Sequence, residues 1–178
     1  MSVHFSSQKN DWGTPPDLFD KLNKEFQFDI DVCASPENAK CEKFWTKEDD
    51  ALSQTWTGYC YMNPPYGREI GKWIQKAYES ARSGEATVVC LLPSRTDTKW
   101  WHKYIMKADT VRFIKGRLKF SGHKNSAPFP SVIVIFGKYP QYQWGWESYP
   151  DGVVASLDHR YDIPRVDIPV RRKFLPEY

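Results

Sequence analysis

Asn63-Pro64-Pro65-Tyr66 follows a short apolar run, Gly58 to Met62, and puts a carboxamide, carbonyl oxygens and an aromatic ring into one stiff loop. Such a set suits a planar ring that carries an exocyclic amine. The lone pair of that amine is delocalised into the ring, so its nitrogen is a poor nucleophile. Two acceptors that take both amine hydrogens draw the nitrogen toward tetrahedral geometry and stabilise the positive charge that develops as it attacks. The Asn63 side-chain oxygen and the Pro64 carbonyl are the acceptors offered here. Pro64 and Pro65 restrict themselves and the residues before them, which holds the acceptors in place. Tyr66 adds a stacking face, worth roughly 1–3 kcal/mol per base. No general base has to be present beforehand, because the proton can leave after the transfer. The chemistry expected is alkylation of an amino nitrogen. A Pro-Pro turn with an incidental Asn and Tyr is the bland alternative, and the strand-end position weakens it.

These residues need a scaffold that ends a strand at the loop. Gly58 to Met62 reads as that strand. Upstream, Leu18, Phe19, Leu22 and Phe26 recur at helical spacing, which predicts a helix from Pro15 to Glu25. Thr14 is a good N-cap for it, Pro15 suits the first turn and Asp17 favours the dipole. Phe26 to Ala34 alternates with period two and reads as a strand. Ile70, Trp73, Ile74, Ala77, Tyr78 and Ala81 give a second helix, with Gly84 as its stop. Ala86 to Leu92 is continuously apolar, as a fully buried strand is. Residues 96–108 read as a helix, Val111 to Ile114 as a short strand and Ser131 to Phe136 as a strong one.

Strands alternating with helices predict an α/β fold, a mainly parallel sheet with helices on both faces. Ligands in such sheets bind beyond the carboxyl ends of the strands. Asp31–Ser35, Asn63–Tyr66 and Pro93–Thr96 all fall at such ends. The pattern fades after Gly137.

The chain has 178 residues, enough for one domain with a real core. Its 26% charged and 40% hydrophobic residues exclude a disordered or membrane-embedded class. The net charge of +3 says little, but its distribution is uneven. Residues 17–50 hold ten acids against five lysines, and residues 95–124 hold nine Lys and Arg against two Asp. An acidic half suits a cationic or polar cofactor, and a basic half suits a phosphate backbone. A solvated charge face would look the same. Cys33, Cys41, Cys60 and Cys90 form no C-x-x-C pair and no metal-ligand spacing with the scattered histidines. Free thiols, no metal and no membrane span are expected. The polar start, Met1 to Trp12, lacks a signal-peptide core, so a cytoplasmic location is expected.

Four segments together resemble the amino-methyltransferases that use S-adenosylmethionine, in particular the small phage-type DNA N6-adenine methyltransferases. They are Trp12-Gly13-Thr14-Pro15-Pro16, Phe28-Asp29-Ile30-Asp31-Val32-Cys33-Ala34, Asn63-Pro64-Pro65-Tyr66, and Leu91 to Trp101 with its Pro-Ser-Arg-Thr-Asp-Thr centre. Gly116-Arg117-Leu118-Lys119-Phe120 also fits. The tetrapeptide itself is shared with N4-cytosine and protein-glutamine enzymes, and the flanking segments are what favour adenine in DNA.

The resemblance implies a Rossmann-like methyltransferase fold. Residues 1–137 would form the S-adenosylmethionine-binding and catalytic domain, and 138–178 a C-terminal extension packed on it. Asn63, Pro64, Pro65 and Tyr66 are the implied catalytic residues. Asp31, Cys33 and Ala34 form the implied cofactor loop, with Asp31 near the amino-acid end of the cofactor. This chain has Cys-Ala-Ser-Pro where the wider family has a glycine-rich turn. Asp50 is the preferred acid for the ribose hydroxyls or adenine amine, ahead of Glu48 and Asp49. Thr14 and Pro15 resemble the segment over the methionine part, with helix capping the other reading of Thr14. Asn63 also faces the cofactor.

The target base must leave the duplex to be reached. Arg95 and Thr96 are placed to line its pocket, with Phe129 beside the catalytic loop. Arg117, Lys119, His123 and Lys124 suit the DNA backbone or target recognition. Trp100 and Trp101 read as core. Arg160, Arg165, Arg171, Arg172 and Lys173 offer a second DNA contact or a solvated tail. The expected partner is DNA, and protection of viral DNA from restriction is the expected purpose. N4-cytosine, RNA or protein-glutamine methylation, or an inactive nucleic-acid-binding module, remain as alternatives.

Overall fold

The computed structural model of the protein describes residues 12–138 in full and the backbone of two further strands, 153–157 and 168–169. The five basic residues picked out in the tail lie outside the described residues. Helix α1 spans Pro16–Phe26, β1 Ile30–Asp31, β2 Gly58–Met62, α2 Ile70–Arg82 and β3 Ala86–Pro93. A short helix α3, Lys99–Lys103, continues into a 3-10 turn at Ile105–Lys107. The remaining strands are β4 Thr110–Ile114, β5 Ser131–Phe136, β6 Val153–Leu157 and β7 Ile168–Pro169.

All seven strands join one sheet in the order β1-β2-β3-β5-β4-β6-β7. β1, β2 and β3 are parallel, as are β4 and β6, while β5 is antiparallel to both of its neighbours and β7 to β6. Five strands therefore share one direction and two are reversed. The fold is α/β as expected, but the sheet is mixed rather than mainly parallel, because only β1-β2, β2-β3 and β4-β6 pair in parallel.

The residues of one row across the sheet, Tyr61, Val89, Ile135 and Thr110, share a face through their register. Helix α1 covers that face. Its Phe19 meets Tyr61 edge-on at 5.1 Å, and its Glu25 pairs with Arg112, two residues beyond Thr110. Phe136 points the other way, because side chains alternate along a strand. It meets Tyr78 of α2 at 5.9 Å. Helices α1 and α2 thus bury opposite faces, and β3 and β5 between them are buried at every position.

Three local expectations need correction. The period-two reading of 26–34 overran: Phe26 is the last residue of α1, Gln27 takes a left-handed turn at φ 50°, and only Ile30–Asp31 pairs as strand. Phe26 and Phe28 alternate because both rings fill one core, stacked 5.7 Å apart, not because they share a strand. The helix over 96–108 breaks into α3 and the 3-10 turn. Thr14 does not cap α1, whose N-cap is Pro15 with no side-chain cap bond.

Gly58 sets where β2 begins. It sits at φ +70°, and a Cβ there would lie 2.4 Å from the Asp29 carboxylate. That carboxylate accepts the Tyr59 N–H at 2.7 Å. The close approach, which only glycine allows, fixes β2 against the lead into β1.

Candidate active site

The carboxyl ends of β1, β2 and β3 lie side by side, since Asp31 pairs with Tyr61 and Met62 with Cys90. Beyond them opens a cavity of about 470 Å³, within the range of small-molecule sites. Thr14, Asp31, Cys33, Ala34, Asp50, Asn63, Pro64 and Pro65 all line it, so residues far apart in sequence converge as expected.

Part of the acidic stretch, from Ser35 to Leu52, forms one wall. Residues 43–45 fold back against β1: Asp31 N–H donates to the Lys43 carbonyl and Trp45 N–H to the Asp31 carbonyl, both at 3.0 Å. Among the three consecutive acids, only Asp50 lines the cavity. Asp49 is occupied elsewhere, accepting Thr46 N–H at 2.7 Å and Thr46 Oγ1–H at 2.8 Å, which holds its carboxyl below the usual range. Trp12, Gly13, Lys40, Trp45, Lys47 and Trp73 also line the space and were missed as site residues. The two lysines, Trp12 and Trp45 sit in non-periodic loops, and the helical spacing of Trp73 marked it as core, so nothing in the pattern marked them as site residues.

Asp31 is buried at 3% exposure. Its two carboxylate oxygens accept the backbone N–H of Cys33 at 3.2 Å and of Lys40 at 3.1 Å. Burial nonetheless pushes its pKa up to about 6, against those hydrogen bonds and the Lys40 charge. A carboxylate held this way in a small-molecule cavity suits a cationic group. Between the ordinary carboxyl value and pH 6 the native side chain keeps a proton that the unfolded chain releases. The native state is therefore disfavoured progressively as pH rises through that window, by on the order of 3 kcal/mol when no cation is bound. Melting curves of the unliganded protein and Asp31→Asn should show the variant gaining on the wild type between pH 4 and 6, with a constant offset above. Affinity for a cationic ligand at this position should rise up to about tenfold per pH unit to pH 6 and then level off.

Asn63 lines the cavity. Its Nδ2 donates to the Trp12 carbonyl at 2.6 Å and to Thr14 Oγ1 at 2.9 Å. Its Oδ1 is buried and has no hydrogen-bond partner among the described residues. An unmade acceptor bond in such a place costs roughly 1–3 kcal/mol, so the position is one that function has to justify.

Tyr66 is not the open stacking face expected. It is 3% exposed, its hydroxyl donates to the Leu91 carbonyl at 3.1 Å, and Phe129 and Phe120 lie edge-on at 5.6 and 6.1 Å. Phe129 does pack beside the loop. A planar group can stack on the Tyr66 ring only if these phenyl groups shift.

Pro15 is buried behind the cavity wall without lining it. Arg95 and Thr96 are exposed just past β3, and the Arg95 charge acts on the Tyr66 hydroxyl, although burial dominates there and raises the pKa well above the ordinary value. Arg117, Lys119 and Lys124 are exposed, alternating with buried Leu118 and Phe120, so their segment is anchored. His123 is half-buried, its ring stacked on Trp12 at 4.2 Å. Gly13 and Ser121 form an antiparallel bridge, with Ser121 N–H on the Gly13 carbonyl at 2.7 Å. This basic segment therefore adjoins the Asn63–Tyr66 loop without lining the cavity.

Cys60 and Cys90 are buried, Cys33 and Cys41 partly so, and burial pushes the Cys60 thiol up to about 12. Among the described residues no helix is long and apolar enough to cross a membrane, and no group of three or more His, Cys, Asp or Glu is placed to hold a metal.

A family model described as DNA N-6-adenine-methyltransferase (Dam) matches residues 2–162. The chain is 31% identical over 139 residues to a DNA N-6-adenine-methyltransferase of Haemophilus phage HP1, covering 73% of this chain and 80% of that one. It is 30% identical over 110 residues to one of Escherichia phage T1, covering 60% of this chain and 45% of that one. A solved structure of the Type IIL restriction-modification enzyme MmeI in complex with DNA aligns with TM-score 0.42 and 11% identity, over 72% of this chain and 22% of that one.

Proposed function

As the chain belongs to the DNA N-6-adenine-methyltransferase (Dam) family and is thus an adenine-specific DNA methyltransferase, we propose that it methylates at the Asn63-Pro64-Pro65-Tyr66 loop with S-adenosylmethionine as donor. The observation that carries the proposal is the unpartnered Oδ1 of Asn63 beside the 470 Å³ cavity. Both amide hydrogens of Asn63 are already used, so its oxygen is left to accept one hydrogen from the adenine N6 amine. The Pro64 carbonyl takes the other. As the amine attacks, it becomes positive, and both acceptors then bind it more strongly than they bind the ground state. The surplus proton is released to solvent afterwards.

The residues around the cavity fit the donor. Asp31 matches its ammonium group, Lys40 or Lys47 its carboxylate, and Asp50 its ribose hydroxyls, with Cys33 and Ala34 forming the loop beneath and Thr14 and Pro15 the segment above. When bound, S-adenosylmethionine supplies an electrophilic methyl group on a sulfonium. The sheet order and the helices on both faces support the Rossmann-like methyltransferase arrangement, with 1–137 as catalytic domain and 138–178 as an extension. The extension is read as packed on that domain, because β6 continues the sheet alongside β4. Arg117, Lys119, His123 and Lys124 are read as contacts to DNA, and Arg95 and Thr96 as lining for the extruded base.

The reading is tested by incubating unmethylated DNA with the protein and S-adenosylmethionine, then digesting to nucleosides for mass spectrometry. N6-methyladenine should accumulate and be absent when the donor is omitted. Methylation found only as N4-methylcytosine would overturn it.

A further inference from the structure

A fully buried tyrosine on β2 stands behind the catalytic asparagine, and nothing in the chemistry above uses it. Tyr61 has 0% exposure. Its hydroxyl lies 2.8 Å from Thr14 Oγ1, which in turn accepts Asn63 Nδ2–H at 2.9 Å. We propose that Tyr61 and Thr14 are positioning residues, a hydroxyl chain that fixes the plane of the Asn63 amide so that its Oδ1 meets the substrate amine. This rests on the reading of Asn63 as acceptor.

The proton count gives the chain a direction. The Trp12 carbonyl can only accept, so the nitrogen of the Asn63 amide must face it, at 2.6 Å. The second amide hydrogen goes to Thr14 Oγ1. Burial keeps the Tyr61 hydroxyl protonated, raising its pKa well above the ordinary phenol value. A buried hydroxyl needs an acceptor for that proton, and Thr14 Oγ1 is its side-chain partner. Thr14 lines the cavity, which gives its own proton an outlet, whereas Tyr61 is fully buried, so Tyr61 is taken as the donor to Thr14. Both lone pairs of Thr14 are then filled, one by Tyr61 and one by Asn63, and the oxygen cannot drift without breaking either bond.

One anchor alone would leave the amide free to rotate, because the terminal torsion of an asparagine is soft. Trp12 chooses which end of the amide is oxygen, and Thr14 fixes the plane. Tyr61, held by β2 and by Phe19 at 5.1 Å, fixes Thr14. Pairing of β2 with β1 and β3 thus reaches the reacting centre through two hydroxyls.

The test is steady-state kinetics on Tyr61→Phe, Thr14→Val, Thr14→Ser and the Tyr61→Phe/Thr14→Val double variant, with melting temperatures and donor affinity by calorimetry. Tyr61→Phe should lower kcat about tenfold with KM for DNA within about twofold. Thr14→Val should lower it at least as far, and Thr14→Ser, which keeps the oxygen, should exceed Thr14→Val by about tenfold. In the Thr14→Val background Tyr61→Phe should cost nothing further, because its route to Asn63 is gone. A merely structural tyrosine would lower the melting temperature equally in both backgrounds and leave kcat alone. Wild-type kcat in Tyr61→Phe, or effects that multiply in the double variant, would overturn the proposal. Should Tyr61→Phe not fold, equal kcat in Thr14→Ser and Thr14→Val would do the same. Asn63→Ala separates the two levels: if it stays active, the acceptor reading fails, whereas an inactive Asn63→Ala beside a fully active Tyr61→Phe sinks this inference alone.

Discussion

Asn63→Ala should lose about a thousandfold or more in kcat while its affinity for S-adenosylmethionine stays within about fivefold. Removing one preorganised partner of a developing charge has an effect of this size, because nothing else in the loop can take its place. The variant also strands the Trp12 carbonyl and relieves the orphaned Oδ1, so its stability should change little. Asn63→Asp divides the roles of the two ends of the amide. It keeps an acceptor toward the substrate but sets an oxygen against the Trp12 carbonyl, now 2.6 Å from nitrogen. Its kcat should fall between those of wild type and Asn63→Ala. Single-turnover methylation paired with calorimetric donor binding checks both. Donor binding that vanishes along with kcat would make Asn63 a cofactor anchor instead.

The second large effect belongs to Tyr66, and here stability and activity fall together. Tyr66→Ala should cost about 3–5 kcal/mol, since it empties space beneath Phe120 and Phe129 in the core. In a chain of 178 residues that lowers the melting temperature by roughly 10 °C or more. On the proposed reading, with the base stacking on Tyr66 once Phe120 and Phe129 shift, its kcat at a temperature where it remains folded should drop about a hundredfold. Tyr66→Phe keeps the ring and loses only the bond to the Leu91 carbonyl, so about 1 kcal/mol of stability should go, with a few-fold change in kcat. If the alanine variant is as active as wild type where folded, the tyrosine is a core residue and not a base contact.

Much of this site was legible because its chemistry is local in sequence. Asn63 to Tyr66 needs only a strand before it, and Gly58 to Met62 forms that strand with the expected bounds. The buried strands were equally clear, since continuous apolar runs such as Val88 to Leu92 have no other stable home. Thr14 was legible as polar and well placed, but not in its partners. Pro15 took the cap position, and the Thr14 hydroxyl turned to Tyr61, 47 residues away. No local rule anticipates such a bond. Of the cavity wall from Asn38 to Leu52 only Asp50 was legible, from its acidic run, and the rest was hidden for the opposite reason. It is held by backbone bonds to β1, which leave no periodicity in the side chains. Tyr66 looked like a surface ring because loops are mostly exposed. The rings that cover it, Phe120 and Phe129, arrive from a segment more than fifty residues later.

The placement of β5 has a consequence for how the chain is made. β5 lies between β3 and β4 in the sheet but is synthesised after both. A nascent chain that has reached Ile114 therefore carries β3 and β4 with edges that lack their shared neighbour, and it waits roughly a few seconds of translation for Ser131–Phe136 to arrive. Open edges of that kind invite pairing with other chains. Slowing synthesis between codons 114 and 131 should lower soluble yield more than slowing it after codon 136. The same order delays the loop: β3 holds it through the bond from Tyr66 to the Leu91 carbonyl, and β3 gains its second neighbour only when β5 arrives.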